Sequence, residues 1–286
     1  MCGYKSERYH KMPAEELSAR IKEQLSWVLK ENMPESYQMV KIFTSGSFFD
    51  STEVPADARD AIGAAFKGKI IIAESRTEYV KKDIIADFMA IIDDNSHIKP
   101  LYIAMGLETT NDYIREKCID KGHTFEDFKD AVKQGKDAGA GIKTYLMMKP
   151  PFLTELEALL DMQRSIKESA PYSDMISMNL CTIQNRTDVE RLWKQRAYRP
   201  PYLWSVLKVL IESDVHVMCD PVGGGKRRGP HNCGKCDMEI VDAIRDYSLN
   251  NDKELLKVYF DKGCECMDEW KFVLKEEKPF CMPLTE

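Results

Sequence analysis

Two cysteine pairs, Cys233-x2-Cys236 and Cys264-x-Cys266, have the types and spacing that point most directly to chemistry. Thiolates are ligands for borderline metals, and two close pairs separated by a helical segment are a common way to build a tetrahedral zinc site. A structural zinc, an auxiliary iron–sulfur cluster and uncoordinated thiols all remain open, with His231 and Cys219 near in sequence. Just before the first pair, residues 223–229 read GGGKRRG. This lacks Walker spacing, so it is not a nucleotide P-loop. Glycine N–H groups followed by Lys226, Arg227 and Arg228 suit either an anion contact or a solvated loop. A second basic cluster, Arg191, Lys194, Arg196 and Arg199, lies beside Tyr198, Tyr202 and Trp204. Cations with aromatics suit an RNA backbone with stacked bases, although Trp204 reads equally well as core. Cys118 and Cys181 sit in apolar surroundings and read as core, and Cys281 falls in a tail.

The elements that must position these groups alternate. Helical periodicity runs from Ala14 to Glu31. Strand signals follow at 38–43, 69–73, 101–105, 141–148, 175–178 and 215–218. Helical segments lie between them at 55–66, 78–92, 111–118, 124–138, 154–168, 187–194 and 202–213. Gly139 reads as a C-cap, and Thr154 with Glu157 as a capping box. Alternation of this kind predicts an α/β fold with a parallel sheet. Polar residues close nearly every strand: Ser45 and Ser47, Glu74 and Arg76, Glu108, Lys149, Asn179, Asp220. In a barrel those ends share one face; in an open sheet they line a crevice.

The chain has 286 residues, 43% hydrophobic and 31% charged, with a net charge of −6. No apolar run approaches the roughly 20 residues of a membrane span, so no membrane partner is expected. The polar N-terminus lacks a signal-peptide core. Nine cysteines without a secretion signal favour a reducing, cytoplasmic setting and metal binding over disulfides. An acidic chain that works on RNA needs a local basic patch or a partner that supplies the grip.

Several of these stretches resemble a known family. The strand-end segments Ser45-Gly46-Ser47, Glu74-Ser75-Arg76 and Gly106-Leu107-Glu108 resemble those of radical S-adenosylmethionine (SAM) enzymes of the Elp3/MiaB-like group. YLMMKPPFLTELE at 145–157, YRPPYLW at 198–204, CDPVGGGKRRGPHNCGKC at 219–236 and the initial MCGY narrow the resemblance to the radical SAM subunit of archaeosine synthase. It covers the chain from Cys2 to Trp270. It implies a partial parallel (β/α) barrel over 1–221, with a cysteine-containing helical extension over 222–286. It implies a [4Fe–4S] cluster, with Cys2 as one ligand, and SAM held by Ser45, Gly46, Ser47, Glu74, Arg76, Glu108, Lys149 and Asn179. Asp220, Lys226 and Arg228 become candidate substrate contacts. The implied activity is that of a lyase on tRNA carrying a lysine-conjugated 7-deazaguanine; it breaks the bond between the conjugating nitrogen and the lysine side chain. The implied partners are tRNA and the tRNA-binding subunit that attaches lysine. The alternatives are another radical SAM RNA-modifying enzyme, such as a methylthiotransferase or an Elp3-like enzyme, and a non-catalytic scaffold that binds SAM or metal. The pattern's two cysteines before Cys2 are absent, so the chain as written is expected to be catalytically silent and to gain activity when they are restored.

Overall fold

Short, largely apolar runs make the strands and amphipathic runs make the helices. The computed structural model describes residues 12–44 and 46–279. Its elements are α1 (Ala14–Glu31), β1 (Met39–Ile42), α2 (Ala56–Ala65), β2 (Ile70–Glu74), α3 (Lys82–Ile92), β3 (Leu101–Glu108), α4 (Asp112–Ile114), α5 (Phe125–Asp137) and β4 (Gly141–Met148). They continue with α6 (Glu155–Ser169), β5 (Met175–Leu180), α7 (Asp188–Lys194), α8 (Leu203–Glu212), β6 (Val217–Asp220), α9 (Asp237–Asn250), α10 (Lys253–Lys262) and α11 (Cys266–Glu276). The sheet order is β1-β2-β3-β4-β5-β6. β1 pairs with β2, β2 with β3, and β5 with β6, all parallel. Parallel neighbours need long crossovers, which the intervening helices supply.

The described residues form two compact units, 12–106 with Glu126–Lys143, and Leu107–Phe125 with 144–279. In the first, Ile71, Ala73, Leu101 and Ile103 are fully buried. A Cβ at Gly135 of α5 would lie 3.0 Å from Ile103 and 3.1 Å from Ile142, so the helix sits close against that face of the strands. Phe48, Phe49 and Phe88 pack edge to face, with ring centroids 5.1 to 5.8 Å apart. That cluster pins the segment after β1 to α3, and Phe48 N donates to Glu74 O at 2.9 Å.

In the second unit, β3 runs on to Glu108, past the expected end at Met105, because Leu107 is fully buried. The helix expected over 111–118 forms only one α turn and continues as π-helix over Arg115–Ile119. Arg115 is the reason. Its side chain is wholly buried, and π-turns are commonly found where a side chain has a special task. Nε donates to His123 O at 2.7 Å, Nη1 donates to Thr109 O at 2.5 Å, and Nη2 pairs with Asp112. Asn111 caps the turn by accepting from Tyr113 N and Ile114 N. The Thr154–Glu157 capping box forms at the start of α6. The C-terminal helices pack within this unit. Trp270 Nε1 donates to Ser205 Oγ at 2.8 Å, Ser248 Oγ donates to Cys219 O at 2.6 Å, and Phe260 lies between Trp204 and Trp270.

Arg115→Met should cost about 3 kcal/mol or more, because it leaves the buried Thr109 carbonyl and the half-buried His123 carbonyl without their donor. Urea unfolding followed by circular dichroism checks this. Arg115→Lys should recover less than half of the loss, since an ammonium cannot span three separated acceptors as the guanidinium fork does.

Candidate functional site

In the first unit, Ser45 lies outside the described residues, and its neighbours form a carboxylate cradle. Ser47 is fully buried. Its N–H donates to Glu53 Oε2 at 2.5 Å and its Oγ accepts from Arg76 N at 3.0 Å, tying the loop after β1 to the end of β2. A Cβ on Gly46 would fall 1.5 Å from Glu53 Oε2, so the Glu53 carboxylate occupies space that the glycine leaves open. Glu53 is thus a site residue that sequence reasoning missed; the one signal for it was the glycine itself. Asp50 accepts from Thr52 N and Oγ1 at 2.9 and 2.8 Å. A hydrogen bond to Asp50, with burial second, pushes the Tyr79 phenol above its usual value. Arg76 forms a surface ion pair with Glu78 at 2.6 Å. Gly46, Asp50, Glu53, Arg76 and Tyr79, together with apolar residues of α1, line a cleft of about 990 Å³.

In the second unit, Glu108 and Lys149 end β3 and β4 with φ of 67° and 57°, left-handed values that non-glycine residues rarely adopt. Glu108 accepts from Lys121 Nζ at 2.6 Å. Lys149 and Glu155 are an ion pair at 2.7 Å, with 2% and 0% of their side chains exposed. Glu155 Oε1 also accepts from Tyr202 N at 2.9 Å, Tyr198 Oη donates to Lys149 O at 2.8 Å, and Glu155 N donates to Glu277 Oε2 at 2.5 Å. Lys149 therefore spends its charge inside the protein. Asn179 and Asp220 are register partners on β5 and β6, and both are exposed.

The glycine-rich loop does not present a nest. The N–H groups of Gly224, Gly225, Lys226 and Gly229 donate to carbonyls of Pro221, Pro230, Gly223 and Lys226. A Cβ on Gly229 would lie 2.2 Å from Gly223 O; the glycines are there so that the loop can fold on itself. Arg228 is a tie: it donates to Ile183 O, Asn185 Oδ1 and Glu190 Oε1 at 2.9 to 3.1 Å. Lys226 and Arg227 are exposed. The expected stacking platform is corrected as well. Tyr198, Tyr202 and Trp204 are buried at 7%, 3% and 1% exposure, because each packs into the core of this unit. Arg199 lies 3.3 Å over the Tyr202 ring and donates to His231 O.

The four cysteines converge. All four Sγ atoms lie within 4.8 Å of one another, and the Cys233–Cys236, Cys233–Cys264 and Cys236–Cys266 distances are 4.0, 3.8 and 3.8 Å. Four sulfurs bonded to one zinc at about 2.3 Å form a tetrahedron with edges of about 3.8 Å. The set matches a single tetrahedral ion. A four-iron cubane, with one thiolate on each iron, spreads its cysteines further apart. The surroundings are built to hold the thiolates. Trp204 Nε1 donates to Cys266 Sγ at 3.3 Å and Asn232 Nδ2 to Cys236 Sγ at 3.5 Å. The buried Asp237 accepts from Asn232 N and Gly234 N. Burial raises the Cys266 thiol to about 11. At Cys233 burial also acts upward, but N–H donors from Lys235 and Cys236 and the neighbouring thiols outweigh it and bring the thiol to about 7. Four thiols this close cannot all ionise without a cation among them. Cys2 lies outside the described residues, as does Cys281. The buried Cys219 and the half-buried His231 stand outside the four-sulfur group.

Lys149→Met alone should cost about 3–5 kcal/mol, because it leaves Glu155 buried and ionised without its partner. Lys149→Met with Glu155→Leu should recover a large part of that cost. A thermodynamic cycle from urea denaturation checks the coupling.

No catalogued protein-family profile matches the chain. It is 41% identical to archaeosine synthase subunit beta of Methanosarcina acetivorans, over 97% of this chain and 80% of that one. It is 37% identical to archaeosine synthase subunit beta of Thermococcus kodakarensis, over 82% of this chain and 74% of that one. Among solved structures it is similar to the archaeal Methanocaldococcus infernus Elp3 with an N-terminal deletion, with a TM-score of 0.53 and 15% identity, covering 84% of this chain and 59% of that one. At that identity the likeness is one of fold. The fold is α/β, a partial parallel (β/α) barrel similar to that of Elp3, with a cysteine-containing helical C-terminal extension. Identity and coverage of this extent place the chain in one family: it belongs to the archaeosine synthase subunit beta family.

Proposed function

We propose that this protein is the radical SAM lyase that breaks the C–N bond of a lysine-conjugated 7-deazaguanine in tRNA, leaving the amidine of archaeosine on the base. Its relation to archaeosine synthase subunit beta over nearly its whole length carries this reading. A bound [4Fe–4S] cluster with SAM would supply a hydrogen-abstracting radical. Cys2, its proposed ligand in this chain, lies outside the described residues, and the four-cysteine group has single-ion geometry. For SAM the fit is favourable. The Gly46–Ser47 loop already holds a carboxylate, that of Glu53, on a backbone N–H, and the methionyl end of SAM presents the same group. Ser45, Gly46 and Ser47 would hold that end, with Glu74 and Arg76 as further contacts. Lys149, through its pair with Glu155, would position the end of β4 instead of touching the ligand.

On the substrate side, Asp220 and Lys226 are exposed and open to contact, and Arg228 shapes the loop that carries Lys226. The net charge of −6 and the relatives' designation as a subunit beta support a partner that supplies most of the grip on tRNA. The four-cysteine group is a structural zinc site, in keeping with its 3.8–4.0 Å edges.

The activity is tested anaerobically with tRNA bearing the lysine-conjugated base, SAM and a low-potential reductant, using a form of the protein that carries a three-cysteine loop. Archaeosine in the digested tRNA and 5′-deoxyadenosine in the supernatant are expected, and Cys2→Ser should abolish both. 5′-Deoxyadenosine with no archaeosine would favour the reading as another RNA-modifying radical enzyme.

Metal analysis tests the second assignment. The purified chain should carry about one zinc, and Cys233→Ser/Cys236→Ser should carry none and melt at lower temperature. Full zinc content in that variant would refute the site.

A further inference from the structure

Where β5 and β6 end, two basic stretches of the second unit meet. Residues 181–199, after β5, and 221–236, after β6, hold nine lysines and arginines against two carboxylates, in a chain whose net charge is −6. Asp220, exposed at the end of β6, adds a third carboxylate. The fold joins the two stretches. Ile183 N donates to Arg228 O at 2.8 Å. The Arg228 guanidinium returns its bonds to Ile183 O, Asn185 Oδ1 and Glu190 Oε1, and it lies 5.1 Å from the Trp193 ring of α7. Further along, Arg199 donates to His231 O at 2.8 Å, and His231 N donates to Pro201 O at 3.2 Å. The cations of both stretches therefore stand side by side.

Within this surface the charges divide. Arg191 pairs with Asp188 at 3.2 Å, Lys194 and Arg228 pair with Glu190 at 3.3 and 3.0 Å, and Lys235 pairs with Glu265 at 3.3 Å. Arg199 is spent on His231 O and the Tyr202 ring. Arg186, Arg196, Lys226 and Arg227 are exposed, and among the described residues their side chains have no hydrogen bond or ion pair. Arg186 and Arg196 bracket α7 with φ of 59° and 60°, in the left-handed region. Arg196 N donates to Trp193 O and Ala197 N to Leu192 O at 2.9 Å each, a helix-ending pattern in which glycine is the usual residue. Arginine there carries backbone strain that glycine avoids. Unpaired cations gathered on one surface also repel one another. A polyanion lying on that surface relieves the repulsion and gives the strained arginines a use.

We infer that Arg186, Arg196, Lys226 and Arg227 together contact the phosphate backbone of the tRNA. This rests on the proposed function for the identity of the polyanion. Both stretches follow directly on the C-terminal ends of β5 and β6, where Asn179 and Asp220 are in register, and ligands of parallel α/β sheets bind at that end. A guanidinium fork grips a carboxylate as well as a phosphate, so an acidic protein is the competing occupant. Protein interfaces are built round a cluster of apolar anchors, and Val222 is the one exposed large apolar residue in the two stretches. That favours RNA. Four contacts are few for a whole tRNA. The surface orients the RNA, and the partner subunit supplies most of the grip.

The test is fluorescence anisotropy of a labelled tRNA transcript with the full chain, titrated from about 50 to about 200 mM salt. The wild type should bind weakly, with an affinity that falls as salt rises. Arg186→Gln/Arg196→Gln/Lys226→Gln/Arg227→Gln should weaken binding at the low-salt end by ~10-fold or more. It should also flatten the log–log salt dependence by about three, as the loss of four phosphate contacts requires. A control of equal net charge, Lys30→Gln/Lys81→Gln/Lys82→Gln/Lys167→Gln, removes lysines exposed elsewhere on the chain and should leave both quantities nearly unchanged. Equal losses in the two variants, or no loss in the first, overturn the inference, as does a wild type that binds no tRNA at low salt. Poly-glutamate bound as tightly as tRNA would give the surface to an acidic protein and overturn it too. Each of these outcomes leaves the proposed function standing, because that reaction is read from archaeosine formation and not from binding by this chain alone.

Discussion

A buried ion pair, Lys149 with Glu155, holds the second unit in register. Both partners are almost wholly enclosed. Two charges removed from water are tolerable only when each is fully engaged. Here the pair recruits Tyr202 N and, through Glu155 N, the carboxylate of Glu277, while Tyr198 bonds the Lys149 carbonyl. The end of β4, the first turn of α6, the approach to α8 and the segment after α11 are thereby fixed to one another. The left-handed backbone at Lys149 is tolerable for the same reason. An unusual conformation persists where its surroundings over-determine it.

The architecture was legible because period and chemistry agree along most of the chain. Ile70–Glu74 can only be a buried strand, Thr154 and Glu157 can only open a helix well, and the helix over Ala14–Glu31 falls where its apolar spacing puts it. The sequence misled where one side chain overrode local preference. Nothing in the local pattern at 111–118 shows that Arg115 turns inward and converts a helix into one α turn and a π-helix. The site was legible in its cysteines, whose spacing survives folding as a tetrahedron of sulfurs. It was less so in its cations. Arg199 and Arg228 look like a nucleic-acid surface when written in a line, yet their donors go to His231 O, Ile183 O, Asn185 and Glu190. A guanidinium with five donors is as useful for tying loops as for binding phosphate, and a linear sequence does not distinguish the two uses. Glu53 was invisible for a related reason: its role depends on a glycine seven residues away that leaves it room.

The four-cysteine centre shows how binding chemistry and folding can be the same thing. Its ligands come from the turn before α9 and from the start of α11, and Trp204 of α8 reaches in with an indole N–H. Asp237, which caps the turn, is itself buried. Donors aimed at Cys233 favour its thiolate, whereas burial holds the Cys236 and Cys266 thiols up, so the full anionic set forms only with a cation among the sulfurs. A site arranged this way links three helices through one bond network. Its natural consequence is structural, and it need not face any substrate.

β4 and the residue just past its end carry two buried lysines, and their electrostatic surroundings differ. Lys149, just past the strand's end, has Glu155 at 2.7 Å with a second carboxylate, Glu277, at 3.9 Å; negative charge surrounds it. Lys143, near the strand's start, has Lys41 pushing against it and Glu74 pulling, and burial tips the balance so that its ammonium weakens to about 8.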